Sequence, residues 1–366
     1  MKWLLSIATA TGTWPKTMPD AIKVLVTGAG SGVGQSILKA LHISDLETEV
    51  VAADIDPLNA GLYRADEAVI FPRVEAEAEA LAWFRENLPK LNIDVLLIGS
   101  EFDLEFFSKH RVSLEDETGT LICASPLETV QIAADKFRTY EFFKQNGLPH
   151  AQAKVPQNLA EARAVCSDYG FPVVLKTRTG TSSRHVHVLQ NESELESLFE
   201  GVPNPMIQQF AGTVGDDLRY EYTCSVFKCK DGETLGPFTA RRSLRSGTSW
   251  IVEVDCFAEV EEATMQIGSC LPSMGSLNVQ MRNGPRGPIP FELNARFSGT
   301  TAVRAHFGFN EVDMFLKSYY LGQSIEPPKV RKGVALRYIE EVFVEDADIG
   351  GLFTGPLPHG TVNSWF

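Results

Sequence analysis

The stretch "IKVLVTGAGSGVGQSILKAL" begins as an unbroken apolar run and ends with apolar positions at helical spacing. A strand without polar alternation is buried on both faces, as in a parallel sheet covered by helices. "TEVVAADIDP", "IDVLLIGS" and "LICAS" repeat the strand pattern, with helical stretches between them. Strand alternating with helix over about 21–127 predicts a doubly wound α/β domain with a four-stranded parallel sheet. A helical stretch follows from Pro126 to Asn146.

The pattern then changes. "FPVVLKTRTGTSSRHVHVL" reads as strand, polar loop and strand, a hairpin in a small α+β unit in which His185 and His187 alternate along the second strand. "PMIQQF" is another short strand. From Tyr220 to Phe297 strands dominate ("YEYTCSVFKC", "SWIVEVDCF", "SLNVQMRN", "PIPFELNARF"), interrupted by a helix at about Val260–Ser269 and followed by a helical stretch near Asn310–Leu321.

Within "PIPFELNARFSG" the apolar pattern yields to Glu292, Asn294 and Arg296 at alternate positions, which in a strand share one face. Gln280 stands on the preceding strand, joined through the turn "NGPRGP". One carboxylate and two amide oxygens make a hard-oxygen set that suits magnesium, an ion that keeps water ligands and completes its octahedron with phosphate oxygens. Arg296 would then neutralise a transferring phosphoryl group. The alternative is a polar network that only ties two strands together.

Lys176 ends the strand "FPVVLK" and opens the loop "TRTGTSSR", whose hydroxyls, Gly180 and Arg184 offer donors to phosphate oxygens. "MIQQFAG" suits a hinge strand whose backbone meets an adenine edge. Lys136, in "AADKFRTYEFF", stands where a lysine is ordinarily a solvated charge. Glu221 in "RYEYTCSVF" and Arg241, Arg242 and Arg245 in "ARRSLRSG" add a carboxylate and guanidinium groups.

Thr27 to Gly34 form a glycine turn between strand and helix, a geometry that suits a phosphate. Val33 breaks G-x-G-x-x-G, but T-G-x-x-x-G-x-G resembles the turn of short-chain dehydrogenases, with Asp54 as a ribose-binding acid and Tyr140 and Lys144 as a Y-x-x-x-K pair. An NAD(P)-dependent oxidoreductase is therefore the rival reading. Against it, the Tyr–Lys pair follows the turn too closely, and everything beyond Tyr169 is left without a role. Some of these glycines also serve packing alone.

The length of 366 residues suits two or three domains, and the formal charge of −14 argues against general nucleic-acid binding. No apolar run reaches the roughly 18 residues of a membrane span. The six cysteines show no C-x-x-C pair and are expected to be reduced. Residues 1–20 faintly resemble a signal peptide; a disordered leader, or a true start at Met18, fits the nucleotide chemistry and a cytoplasmic location better.

Together, "TGAGSGVGQSILKAL", "ADKFRTYEFFKQNGLP", "FPVVLKTRTGTSSRHV", "IQQFAG…EYTCSVF", "LNVQMR" and "FELNARFSG" resemble, in order over roughly 22–322, the ATP-grasp carboxylate–amine ligases, and most of all the single-module relatives of the carbamoyl-phosphate synthase large subunit. The resemblance implies a Rossmann-like pre-ATP-grasp domain (21–127), a linker helix and lid (128–210), an antiparallel-sheet subdomain (211–330) and a closing strand and tail (331–366), with ATP between lid and last subdomain. It further implies that Lys136, Lys176 and Arg184 meet phosphates, Gln208, Gln209, Phe210 and Ala211 form the adenine hinge, and Glu221 lies near the nucleotide. Gln280, Glu292 and Asn294 would hold magnesium, or manganese in its place, with Arg296 beside the transferring phosphate. Ala295 departs from the proline of E-x-N-P-R, Gln209 from a common glutamate, and the lid loop carries one glycine.

The implied reaction converts a small-molecule carboxylate, an amino acid or peptide, into an acyl phosphate and joins it to an amine, with Arg241 or Arg242 gripping the carboxylate. Activation of bicarbonate or carbamate is the alternative, although the presence of one module argues against making carbamoyl phosphate alone. The resemblance adds no nucleic-acid or membrane partner, and a homodimer fits related enzymes.

Overall fold

In the computed structural model, which describes residues 21–180, 185–212, 221–284, 287–354, 357 and 361–363, the amino-terminal strands form a parallel sheet. Its members are β1 (Ile22–Thr27), β2 (Thr48–Asp54), β3 (Glu67–Ile70), β4 (Val95–Ile98) and β5 (Leu121–Cys123), in the order β3-β2-β1-β4-β5. The sequence pattern predicts four of these. The fifth, β3, is a half-buried edge strand of four residues, too short to leave an apolar run. Along β1, Val24 and Val26 enter one apolar core and Leu25 the other, as alternation on a sheet covered on both faces requires. Helices α1 (Gly32–Ile43), α2 (Glu77–Lys90) and α3 (Glu101–Thr118) supply the cover. The strand order reverses beside β1, so the loops after β1 and β4 flank a crevice at the carboxyl ends of the strands, where open α/β sheets bind ligands.

The helical stretch from Pro126 to Asn146 is two helices, α4 (Leu127–Ala134) and α5 (Lys136–Gln145). Asp135 breaks it. Its backbone is extended, and its side chain accepts hydrogen bonds from the Phe137 and Arg138 amides, capping α5. Lys136 is thereby placed in a first turn rather than in mid-helix.

Strands β6 (Ala153–Lys154), β7 (Val173–Thr177), β8 (Val186–Leu189) and β9 (Pro205–Gln209) form an antiparallel sheet in the order β6-β9-β7-β8. Helices α6 (Leu159–Tyr169) and α7 (Glu192–Leu198) close its core. A larger antiparallel sheet is built from β10 (Glu221–Lys228), β11 (Thr234–Phe238), β12 (Ala240–Arg245), β13 (Thr248–Val254), β14 (Gly275–Gly284), β15 (Gly287–Asn294) and β16 (Gly333–Leu336). Its order is β15-β14-β10-β12-β13-β16, with β11 also paired to β10.

The period of two separates the faces of this sheet. Tyr222, Cys224, Val226, Leu277, Val279, Met281 and Leu293 pack on one side with α8 (Ala258–Cys270). The intervening Glu221, Thr223, Ser225, Asn278, Gln280, Glu292 and Asn294 therefore share the other face. Beyond β15 the chain forms α9 (Thr301–His306) and α10 (Glu311–Phe315), which pack on α1. The Ser36 hydroxyl donates to the Gly299 carbonyl at 3.0 Å and the Asn310 amide to the Ala40 carbonyl at 2.9 Å, so the parallel sheet is fixed to the end of the large one. All six cysteines are free thiols. Among the described residues, no helix is long and apolar enough to cross a membrane.

Candidate functional site

The polar face of β10, β14 and β15 opposes the crevice of the parallel sheet across a cleft of about 330 Å³. Gln280 and Glu292 are cross-strand partners, as are Asn278 and Asn294, so two rungs of the β14–β15 ladder carry four of the polar side chains. Gln280 Nε2 and Asn294 Nδ2 each donate to Glu292 Oε1 at 3.0 Å. Arg242 Nη2 donates to Gln280 Oε1 and to Glu221 Oε1, both at 2.8 Å. At the other end, Arg296 Nη2 donates to Asn294 Oδ1 at 3.0 Å and to Glu101 Oε2 at 2.6 Å. The result is one continuous row: Glu221, Arg242, Gln280, Glu292, Asn294, Arg296, Glu101.

This row bears on a metal. A carboxylate with two amides, open to a cleft, suits one magnesium whose shell is completed by phosphate oxygens and water. In this conformation, however, the Gln280 and Asn294 oxygens face Arg242 and Arg296, and Glu292 presents the free carboxylate chemistry. Direct ligation by either amide requires it to turn over.

Lys136 and Gly180 line the same cleft, with Lys136 Nζ donating to the Gly180 carbonyl at 2.8 Å. Lys176 is buried, 4% exposed, and donates to Gln208 Oε1 at 2.8 Å. Burial, reinforced by the nearby Lys136 charge and opposed by Glu292, lowers its pKa to about 8. A phosphate would relieve both causes. Below it, Asp135 holds Arg178 in a bidentate pair, and the Arg178 carbonyl accepts from the Lys136 amide, tying the start of α5 to the end of β7.

The remaining expected residues separate into groups. Gln208 and Gln209 lie on β9, with the Gln209 amide bonded to the Gln152 carbonyl at 2.8 Å, while Ala211 is buried beyond the end of β9. Phe210, just beyond the strand, sits 5.4 Å from the Arg282 guanidinium. Arg241 is turned away from the cleft: adjacent strand residues face opposite sides, and it pairs with Glu253 at 2.7 Å and covers the Phe257 ring on the α8 side. Of the two arginines expected to grip a carboxylate, only Arg242 lines the cleft. Arg245 stacks on Trp250. Arg184 lies outside the described residues.

The glycine turn borders the cleft through Ser31, Gly32 and Val33. Gly28 has φ +55, and a Cβ on Gly34 would stand 2.2 Å from the Gly28 carbonyl oxygen, so these two glycines are required by packing. A Cβ on Gly32 would meet nothing within 4 Å. The residues invoked for a dinucleotide are committed elsewhere. Asp54 accepts from the Gly30 and Ile55 amides and from Asn59, and the Tyr140 hydroxyl bonds Gln152 in a small core beside β9.

Sequence patterns did not point to several cleft residues. Glu101 opens α3 just after β4, and its signal was available: a polar helix start at the carboxyl end of a parallel strand. Asn278 continues the alternation of Gln280 on β14. Arg337, which donates to the Gly299 carbonyl at 2.7 Å, follows β16 with no local mark of its place. Beneath Ser298 and Thr300 lies a fully buried pair, Arg304 and Glu311, 2.7 Å apart. Arg304 also donates to Ser298 Oγ at 2.8 Å and Thr300 Oγ1 at 3.1 Å.

Comparison with known proteins agrees with this architecture. Residues 133–219 match the RimK-like ATP-grasp domain. The 2-oxoglutarate carboxylase small subunit of Hydrogenobacter thermophilus is 24% identical over 206 residues, 55% of this chain; the match spans 42% of that protein's length. N5-carboxyaminoimidazole synthetase from Staphylococcus aureus, solved with ADP, superposes with a TM-score of 0.70 at 14% identity, covering 88% of this chain and 83% of that one. The biotin carboxylase domain dimer of Hydrogenobacter thermophilus 2-oxoglutarate carboxylase, solved with MgADP, ADP and bicarbonate, gives a TM-score of 0.69 at 16% identity, covering 90% and 81%. Residues 133–219 thus resemble a RimK-like ATP-grasp domain, and most of the chain shares the fold of these solved structures.

Proposed function

We propose that this protein is an ATP-dependent carboxylate–amine ligase whose reacting groups meet in the cleft between the polar face of β10, β14 and β15 and the crevice of the parallel sheet. The observation that carries this reading is the single hydrogen-bonded row from Arg242 through Glu292 to Arg296, facing Lys136 across the same cleft.

In the proposed reaction a substrate carboxylate oxygen attacks the γ-phosphorus of ATP, the bond from that phosphorus to the β–γ bridging oxygen breaks, and ADP leaves. An amine nitrogen then attacks the acyl carbon, the carbon–oxygen bond to phosphate breaks, and the amine gives up a proton. Lys136 and Lys176 draw the phosphates to the lid side. Arg296, held between Asn294 and Glu101, faces the charge that grows on the transferring group, and being fixed beforehand it needs no reorganisation. Arg242, already oriented by Glu221, offers its guanidinium to the substrate carboxylate. A magnesium or manganese ion held by Glu292, when bound, supplies neutralising charge for the phosphate oxygens. The proposed reaction requires the cleft to close over the acyl phosphate, since water would otherwise hydrolyse it.

A second reading, bicarbonate as the activated acid, is favoured by the relatives: one is a carboxylase subunit and another was solved with bicarbonate. ADP release from MgATP separates the two. Purified protein is assayed with pools of amino acids, peptides and other carboxylates in CO2-depleted buffer, then with bicarbonate, each with and without amines. ADP only with an organic acid and an amine supports the first reading, and ADP with bicarbonate alone supports the second. Absence of ADP under every condition rejects the ligase.

A further inference from the structure

Among the described residues, the cations lining the reacting cleft are Lys136, Arg242, Arg296 and Arg337. Arg242 and Arg296 each have a carboxylate, Glu221 and Glu101. Lys136 stands beside Gly180 on the lid side, where phosphates are drawn. Arg337 is left over. Among the described residues no carboxylate pairs with it, and its side chain donates to the Gly299 carbonyl at 2.7 Å. That carbonyl neutralises no charge and already accepts from Ser36 Oγ at 3.0 Å, so most of the five guanidinium donors remain to be used. Arg337 is half-buried, and burial lowers its pKa with no acid beside it to oppose the shift. A partly desolvated cation without a counter-ion calls for an anion.

The sheet sets where that anion lies. Arg242 on β12 is opposite Val252 on β13, and Val252 is opposite Ala335 on β16. Arg337 follows Ala335 by two positions, and its amide donates to the Trp250 carbonyl at 2.9 Å, so it shares a face with Arg242. Two strand spacings across and two residues along place the two Cα atoms roughly 12 Å apart. Side chains as long as arginine close that gap to the length of one small molecule. The neighbours of Arg337 are those of the glycine turn rather than the lid: a Cβ on Gly299 would lie 3.9 Å from the Gly32 carbonyl oxygen. The anion belongs to the acid substrate, not to the nucleotide.

We propose that Arg337 selects a dicarboxylic acid, holding its second carboxylate while Arg242 holds the one that is activated. Which carboxylate reacts rests on the ligase reading; the preference for two carboxylates in this cleft does not.

Calorimetric titration in the presence of MgADP, at matched ionic strength, tests the preference. Succinate and glutarate are the probes, with butyrate and monomethyl succinate as controls of similar shape and one charge fewer. At least one diacid should bind about tenfold or more tightly than either control. Arg337→Gln, which keeps a donor for the Gly299 carbonyl, should abolish that preference and leave MgADP affinity unchanged. Arg337→Lys should restore part of it. Controls that bind as well as the diacids overturn the proposal, as does a preference untouched by Arg337→Gln or the absence of diacid binding. Tighter binding of 2-phosphoglycolate than of either diacid overturns it in favour of a phosphate monoester. Diacids that bind through Arg337 while no condition releases ADP leave the preference standing and remove the ligase. ADP release from monocarboxylic acids, with a KM that ignores Arg337→Gln, does the reverse.

Discussion

Arg296 Nη2 lies 2.6 Å from Glu101 Oε2, joining the residue just past β15 to the first residue of α3, 195 positions earlier in the chain. The guanidinium is 11% exposed, so its orientation is set by this carboxylate together with Asn294 and the Phe297 carbonyl. Glu101→Gln keeps the shape and removes the charge. Steady-state ADP release should show kcat lowered about tenfold with KM for ATP little changed, the pattern of an interaction made in the transition state. A raised KM with unchanged kcat would mean that Arg296 only binds the ground state.

Glu292 is the one acid on the row's central rungs and accepts from both flanking amides. Glu292→Ala should reduce ADP release at least about 100-fold, and circular dichroism should show the folded sheet retained. Turnover near wild type would place the metal elsewhere.

Lys176, with its pKa lowered to about 8 chiefly by burial and then by Lys136, carries its charge fully only below that value. MgADP affinity, measured by titration from pH 6.5 to 9.5, should therefore decline as pH rises through about 8. Lys176→Arg, which stays charged, should flatten the profile. An identical decline in the variant would assign the titration to another group.

Asp103 carries a stability prediction of definite sign. Its folded pKa, raised to about 7 by burial, lies above the unfolded value, so the folded state holds the extra proton between about pH 4 and 7. Its contribution is fully present below about pH 4 and is lost as pH rises through about 7. Asp103→Asn should accordingly be more stable than wild type at pH 8 by on the order of 2–4 kcal/mol, the gap closing toward pH 4. Denaturant midpoints across that range measure it.

The Arg304–Glu311 pair, both residues 0% exposed, anchors the loop from Ser298 to Thr301 under the cleft. Glu311→Ala leaves a buried guanidinium unpaired and strips the acceptor from Ser276 as well, which should cost about 3–5 kcal/mol in denaturant unfolding. Arg304→Met with Glu311→Gln should recover part of that cost, because neither uncompensated charge remains.

What the sequence determined by itself is what repeats at short range. Apolar runs marked β1, β2, β4 and β5, and alternation marked the strands on which Glu292, Asn294 and Gln280 share a face. Both follow from strand geometry alone, in which neighbouring side chains point to opposite sides. The edge strand β3 escaped because four half-buried residues leave no such run. Only the tertiary structure decided the rest. Arg241 and Arg242 are equal in composition, and it is the pairing of β12 with β10 and β13 that turns one toward Phe257 and the other toward Gln280. Glu101, Arg337 and Asp103 owe their places to loops and helix starts at the carboxyl edge of one sheet meeting the polar face of another. Such juxtaposition leaves no period in the chain, because the burial and charge that shape each side chain's chemistry come from residues on other elements, far beyond the reach of a local pattern.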